Sequence, residues 1–144
     1  MLIDYGHDEQ ELRGESHAAG TLATFSRHTS PDRPVTNPLS ACLVDPGERD
    51  ITAHVDLSAL TSTAGRAGLD EIARLDQTYF MMGLGLDEMM KTADSFDPQV
   101  VKRRLALKTL LLPGGLGSTH KVLIFGKGVG TPALKGCSYR TRMT

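Results

Sequence analysis

The sequence predicts an α/β fold with an incomplete set of strands. Three observations carry that expectation. Short apolar runs of strand length alternate with stretches of helical periodicity, glycine and proline clusters punctuate them, and only three or four strands can be counted, fewer than a doubly wound sheet usually has. With 144 residues, 40% of them hydrophobic and 23% charged, the chain suits one domain that buries a core.

Residues 1–4 read as a short buried strand ending at Tyr5-Gly6, the tail of a strand whose upstream context is missing. Residues 7–16 are polar and suit a loop or a short helix, and residues 20–25 a second short strand or an ordered loop. Between residues 26 and 47 stand Pro31, Pro34, Pro38 and Pro46 with Asp, Asn and Ser among them, a long irregular segment of the kind that forms a lid, a binding loop or disorder. Residues 50–57 give the clearest strand. Ile51, Ala53, Val55 and Leu57 share one face, and Asp50, Thr52, His54 and Asp56 the other. A helical pattern begins at Ser58, with Leu57, Leu60 and Ala64 on one side, and breaks over residues 65–68, after which Ile72 belongs to a strand.

A second helix opens over residues 77–82, is interrupted by Gly83-Leu84-Gly85 and continues over 86–92. A third covers residues 98–112, with Val100, Val101, Leu105 and Leu112 on its apolar side and Lys102, Arg103, Arg104 and Lys108 on its wet side. Pro113-Gly114-Gly115 stops it. Residues 121–125 read as a final buried strand, and residues 126–144 as a flexible tail.

Composition narrows the function classes. The formal net charge of −1 offers no basic surface for nucleic acid or an anionic membrane. The two cysteines, Cys42 and Cys137, are too few for a disulfide framework, so a reducing cytoplasm or organelle matrix is the expected setting. No apolar run is long enough to span a bilayer, and the opening MLIDYGHDEQ lacks the regions of a signal peptide. The five histidines, His7, His17, His28, His54 and His120, form no H-x-x-x-H pair and join no Cys-x-x-Cys, so no metal site is expected. A G-x-S-x-G nucleophile motif is absent. Gly126-Lys127-Gly128-Val129-Gly130 mimics a dinucleotide fingerprint, but Pro132 follows and no acidic residue occurs after Asp97, against the helix and the acid the fingerprint needs. Residues 113–121 mimic a phosphate loop without its Gly-Lys-Ser/Thr triplet, and a helix stop accounts for them better. Met81, Met82, Met89 and Met90 lie at helical spacing and suit core packing.

Five short blocks occur in a telling order. They are Ile3-Asp4-Tyr5-Gly6-His7, Gly20-Thr21-Leu22 with Arg27-His28, Pro46-Gly47-Glu48-Arg49-Asp50-Ile51-Thr52-Ala53-His54-Val55-Asp56, Asp76-Gln77-Thr78-Tyr79-Phe80 with Leu84-Gly85-Leu86, and Leu111-Leu112-Pro113 through Lys121-Val122-Leu123. Together they make the chain resemble the C-terminal portion of the MidA family of class I S-adenosylmethionine-dependent methyltransferases, whose mitochondrial members methylate protein arginine and assist assembly of respiratory complex I. The resemblance implies part of a Rossmann-like methyltransferase sheet, with its N-terminal donor-binding half absent from this chain. In it, residues 2–4 would be the fifth strand, 51–55 the sixth or seventh, and 121–125 the remaining C-terminal one. His120 stands where the family usually has Phe, Leu116 where it has Met, and residues 34–42 look like an insertion.

Asp4 and Tyr5, read at the carboxyl end of their strand, would face the ligand crevice of an open α/β sheet. A carboxylate there can pair with a guanidinium or take a proton from it, or it can simply bond backbone N–H groups of a turn. His54 and Asp56, on the polar strand face, are further catalytic candidates, and His28, Asp50 and Thr52 are substrate-binding candidates; a solvated sheet face is the competing account of that row. No cofactor is expected on this chain alone, although the intact family uses S-adenosylmethionine. The expected partners are a protein substrate and a separately encoded N-terminal half. The rival expectation is a non-catalytic assembly module that associates through an open sheet edge. A third is a small nucleotide-binding domain using Gly126 to Gly130.

Overall fold

The computed structural model describes residues 1–26, 43, 46–86, 88, 97–111 and 116–139. The elements in chain order are β1 (Leu2–His7), α1 (Glu9–Leu12), a 3-10 turn (Glu15–His17), β2 (Ala23–Phe25), β3 (Asp50–Thr52), β4 (Val55–Asp56), α2 (Leu57–Arg66), β5 (Asp70–Asp76), α3 (Gln77–Gly83), α4 (Pro98–Leu111), α5 (Leu116–Thr119), β6 (His120–Gly126) and a second 3-10 turn (Lys135–Cys137). They divide into two units, one of Met1–Gly6 with Thr61–Thr144 and one of His7–Leu60.

The first unit is built on β6. Its sequence, HKVLIFG, is nearly all apolar because the strand is paired on both sides and covered at its centre, where Val122 and Leu123 are buried. β1 pairs antiparallel with one side, Leu2 opposite Leu123 and Tyr5 opposite His120. β5 pairs antiparallel with the other, Leu75 opposite Val122 and Asp76 opposite Lys121. A bulge at Ile72 shifts the β5 register, leaving Ala73 and Leu75 pointing inward. Ala73, Leu75, Val122 and Cys137 form the core, with Tyr79, Phe80 and Ile124 packed against it.

Helix boundaries follow local chemistry. The Asp97 carboxylate accepts the Gln99 N–H at 2.9 Å and Pro98 occupies the first position of α4, where its missing N–H removes nothing. α3 ends where the sequence places Gly83-Leu84-Gly85, with Gly85 at φ +92°, a conformation that favours glycine.

Several expectations need correction. β1 is not buried, since Leu2 and Ile3 are 46% and 45% exposed, and it runs on to His7 instead of stopping at Tyr5-Gly6. Asp4 and Tyr5 therefore sit inside the ladder, not at the strand's carboxyl end. Residues 50–57 are not one strand: β3 and β4 are separated by Ala53 and His54, and Leu57 already opens α2. Ile51, assigned to an apolar face, is exposed, because β3 pairs with β2 in a two-stranded sheet, Ile51 opposite Thr24. The strand beside β6 is the one holding Ile72. The α4 positions Val101 and Leu105 are exposed. The stretch read as a flexible tail carries the second 3-10 turn, whose Gly136 and Cys137 are buried. Gly83 and Gly136 permit this docking. A Cβ on Gly83 would lie 2.8 Å from the Lys135 carbonyl oxygen, and one on Gly136 would collide with the Phe80 ring. The Pro-rich loop at 26–47 and the helix expected over 86–92 lie almost wholly outside the described residues, as do Cys42, Met89 and Met90.

Candidate functional site

In the second unit, α1 is a single turn whose start organises its surroundings. The Glu11 carboxylate reaches back to accept the Asp8 backbone N–H at 3.2 Å, the reciprocal half of a capping arrangement. The same oxygen, Oε2, lies 3.3 Å from His7 Nδ1. The Glu11 backbone carbonyl meets His17 Nδ1 at 3.0 Å. Ser58 ties in the start of α2: its hydroxyl accepts the Glu9 N–H at 3.1 Å and donates to Asp8 Oδ1 at 3.3 Å. The chain entering α2 carries His54 to the same place.

The result is a cluster of three half-buried imidazoles, His7, His17 and His54, each presenting one ring nitrogen, with those nitrogens all within 4.8 Å of one another. Ring centroids are 4.6 Å apart for His7 with His17, 4.6 Å for His7 with His54 and 5.5 Å for His17 with His54, and the planes are tilted by 52–73°, so the rings converge instead of stacking. Desolvation first, and then the neighbouring His7 and His17, hold the His54 pKa below its ordinary value of 6.5. The neutral imidazole, with a lone pair to offer, is thus the favoured form of His54.

The structure places the sequence candidates differently from one another. Asp4 Oδ1 accepts the Tyr5 backbone N–H at 2.8 Å, and Tyr5 meets the His120 ring edge-on at 5.8 Å; both residues belong to the first unit. Asp50 is exposed on β3 opposite Phe25, and Thr52 Oγ1 donates weakly to the Ala23 carbonyl at 3.5 Å. Asp56 caps α2, its Oδ1 accepting the Ala59 N–H at 2.8 Å. Replacing Asp56 with alanine is expected to destabilise the chain by about 1 kcal/mol, read as a lower urea midpoint at unchanged slope. His28 lies outside the described residues. Of the six candidates among the described residues, only His54 enters the imidazole cluster. His7 and His17 join it from segments with no local ligand spacing, and no motif signals them.

A second arrangement also went unread in the sequence. Asp76, 1% exposed, pairs with Lys121 Nζ at 2.5 Å across the β5–β6 ladder. The glycines after β6 do not build a dinucleotide site. Gly128 and Gly130 take positive φ in a turn, and the only helical element described beyond them is the three-residue Lys135–Cys137 turn. Among the described residues, no helix is long and apolar enough to cross a membrane.

Comparison with known proteins adds to this geometry. Residues 1–73, just over half of the chain, match the family model for S-adenosyl-L-methionine-dependent methyltransferases. The chain is similar to a COG1565 superfamily member from Burkholderia thailandensis crystallised with S-adenosyl-homocysteine, at 28% identity and a TM-score of 0.77, over 97% of this chain and 34% of that one. It is also similar to the native structure of a COG1565 superfamily protein from the same organism, at 30% identity and a TM-score of 0.81, over 97% of this chain and 35% of that one. The chain thus spans about a third of the length of these proteins. No curated protein matches it.

Proposed function

Because this chain belongs to the S-adenosyl-L-methionine-dependent methyltransferase family, we propose that it works in methyl transfer from S-adenosylmethionine to protein arginine, as the acceptor-side portion of a MidA-type enzyme. The observation that carries the reading is the match of residues 1–73 to the family model. The likeness over 97% of the chain to a structure holding S-adenosyl-homocysteine, the molecule left when the donor has given up its methyl, supports it. That likeness covers 34% of the larger protein, so the chain corresponds to about a third of it. Methyl transfer needs the electrophilic methyl held in line with a guanidine nitrogen, so it rests mostly on positioning. Asp4 and Tyr5 are the acceptor-side candidates for that task. Asp4 Oδ1 is engaged by the Tyr5 N–H, and the residue is exposed, so its other oxygen can take a guanidinium hydrogen bond.

The test is calorimetric titration of the monodisperse 144-residue chain with S-adenosylmethionine. No heat is expected from the chain alone, and transfer of labelled methyl to an arginine peptide is expected once a family donor half is added. Saturable binding at micromolar concentration, about −8 kcal/mol, would overturn the portion reading, since a donor site would then exist within these residues. A second reading, an assembly module, is favoured by the exposed apolar side chains Leu2 and Ile3 on β1 and Val101 and Leu105 on α4. It predicts tight association with the donor half and no transfer.

A further inference from the structure

We propose that His7, His17 and His54 form a binding site for a divalent transition-metal ion of the zinc class, with Glu11 as the positioning residue that orients two of the three rings.

The first support is convergence. Three ring nitrogens from three separate segments, the end of β1, the first 3-10 turn and the Ala53-His54 break between β3 and β4, lie within 4.8 Å of one another. A tetrahedral zinc ion with Zn–N bonds of about 2.0–2.1 Å spaces its nitrogens roughly 3.3 Å apart. Small side-chain rotations of half-buried rings close that difference.

The second support lies behind the rings. An imidazole that binds a metal through one nitrogen donates the other N–H to a carboxylate or a backbone carbonyl, which fixes tautomer and orientation. Glu11 supplies one of each. Its carboxylate faces His7 Nδ1 at 3.3 Å and its backbone carbonyl faces His17 Nδ1 at 3.0 Å. When these nitrogens donate, the lone pair of both rings is left on Nε2. Glu11 is itself fixed by accepting the Asp8 amide, so a one-turn helix sets both ligands.

The donor set selects the ion. Three imidazoles and no carboxylate in the cluster suit zinc, cobalt or nickel, and disfavour magnesium and calcium, which require oxygen ligands. Three histidines also leave a fourth tetrahedral position for water or another ligand.

Cobalt(II) titration of the tag-free 144-residue chain tests the site, because tetrahedral cobalt gives intense visible bands that hexaaqua cobalt lacks. One equivalent is expected to bind saturably with those bands, and zinc is expected to displace it. His54→Gln is expected to weaken binding at least tenfold, and Glu11→Ala by roughly 10–100-fold as an outer partner, while His120→Gln leaves it unchanged. For the unmutated chain, zinc is expected to shift the imidazole nitrogen resonances of His7, His17 and His54 and not that of His120, a readout that does not depend on any variant folding. Absence of saturable binding, binding that survives His54→Gln undiminished, or shifts confined to other histidines would each overturn the proposal.

Discussion

Replacing Asp76 with alanine is expected to lower the free energy of unfolding by about 3–5 kcal/mol, a large fraction of what a domain of this size has in hand. Asp76 is 1% exposed, and the Lys121 side chain opposite it only 13% exposed. Once the carboxylate is gone, the ammonium remains in a site that has excluded water, with its 2.5 Å partner missing. Lys121→Met alone should be comparably damaging, since it removes the cation paired with a buried carboxylate. The double substitution Asp76→Leu with Lys121→Met should recover most of the loss, because the buried pair has little net advantage over well-packed apolar groups. Urea denaturation of the four proteins closes the thermodynamic cycle. A loss below about 1 kcal/mol for Asp76→Ala would mean that the pair behaves as a solvated surface bridge.

Leu75→Ala should rank next, at about 2–5 kcal/mol. Leu75 has no exposed surface and lies opposite Val122, with Cys137, Tyr79 and Phe80 around the same core. The cavity left behind is walled by a sheet on one side and the docked Lys135–Cys137 turn on the other, so little collapse is available. The matched control is Leu105→Ala on α4. Leu105 is 58% exposed, and its truncation should change stability by no more than about 0.5 kcal/mol. Equal effects at the two sites would show that α4 is covered in solution.

This contrast shows where sequence reasoning worked and where it failed. Periodicity found α3, α4 and β6 nearly to the residue, because 3.6-residue and extended patterns are local. The same periodicity put Leu105 inside, since it reports which side chains share a face and not whether anything covers that face. The run from Asp50 to Leu57 alternates cleanly, yet Asp56 caps a helix at Leu57 and stops the strand. A cap bond of about 1 kcal/mol decided between two local states that alternation alone could not separate. The imidazole cluster was illegible for a different reason. His7, His17 and His54 share no helix and no turn, and metal-ligand spacing rules read only ligands on one local element. Glu11 could have been noticed: Asp8 followed three residues later by an acid is a helix-start signature. Nothing in that signature says that the acid also holds a histidine. Three of the five blocks behind the resemblance, at residues 3–7, 20–28 and 46–56, lie within the span 1–73 that matches the S-adenosyl-L-methionine-dependent methyltransferase family model.

The central position of β6 sets an order of events during synthesis. β5 and β6 are linked by a modest stretch of chain, Asp76 meeting Lys121, whereas Tyr5 must find His120 across about 115 residues. Loop-closure entropy grows only logarithmically with that distance, but non-local pairing slows folding. β1 leaves the ribosome before β6 and can pair with it only once β6 has been made. Until then the edge of β1 that β6 will cover is open, and its Leu2 and Ile3 stay exposed even after folding. Chaperone dependence and aggregation during expression should therefore track the interval before β6 emerges, and slowing translation beyond β5 should worsen both.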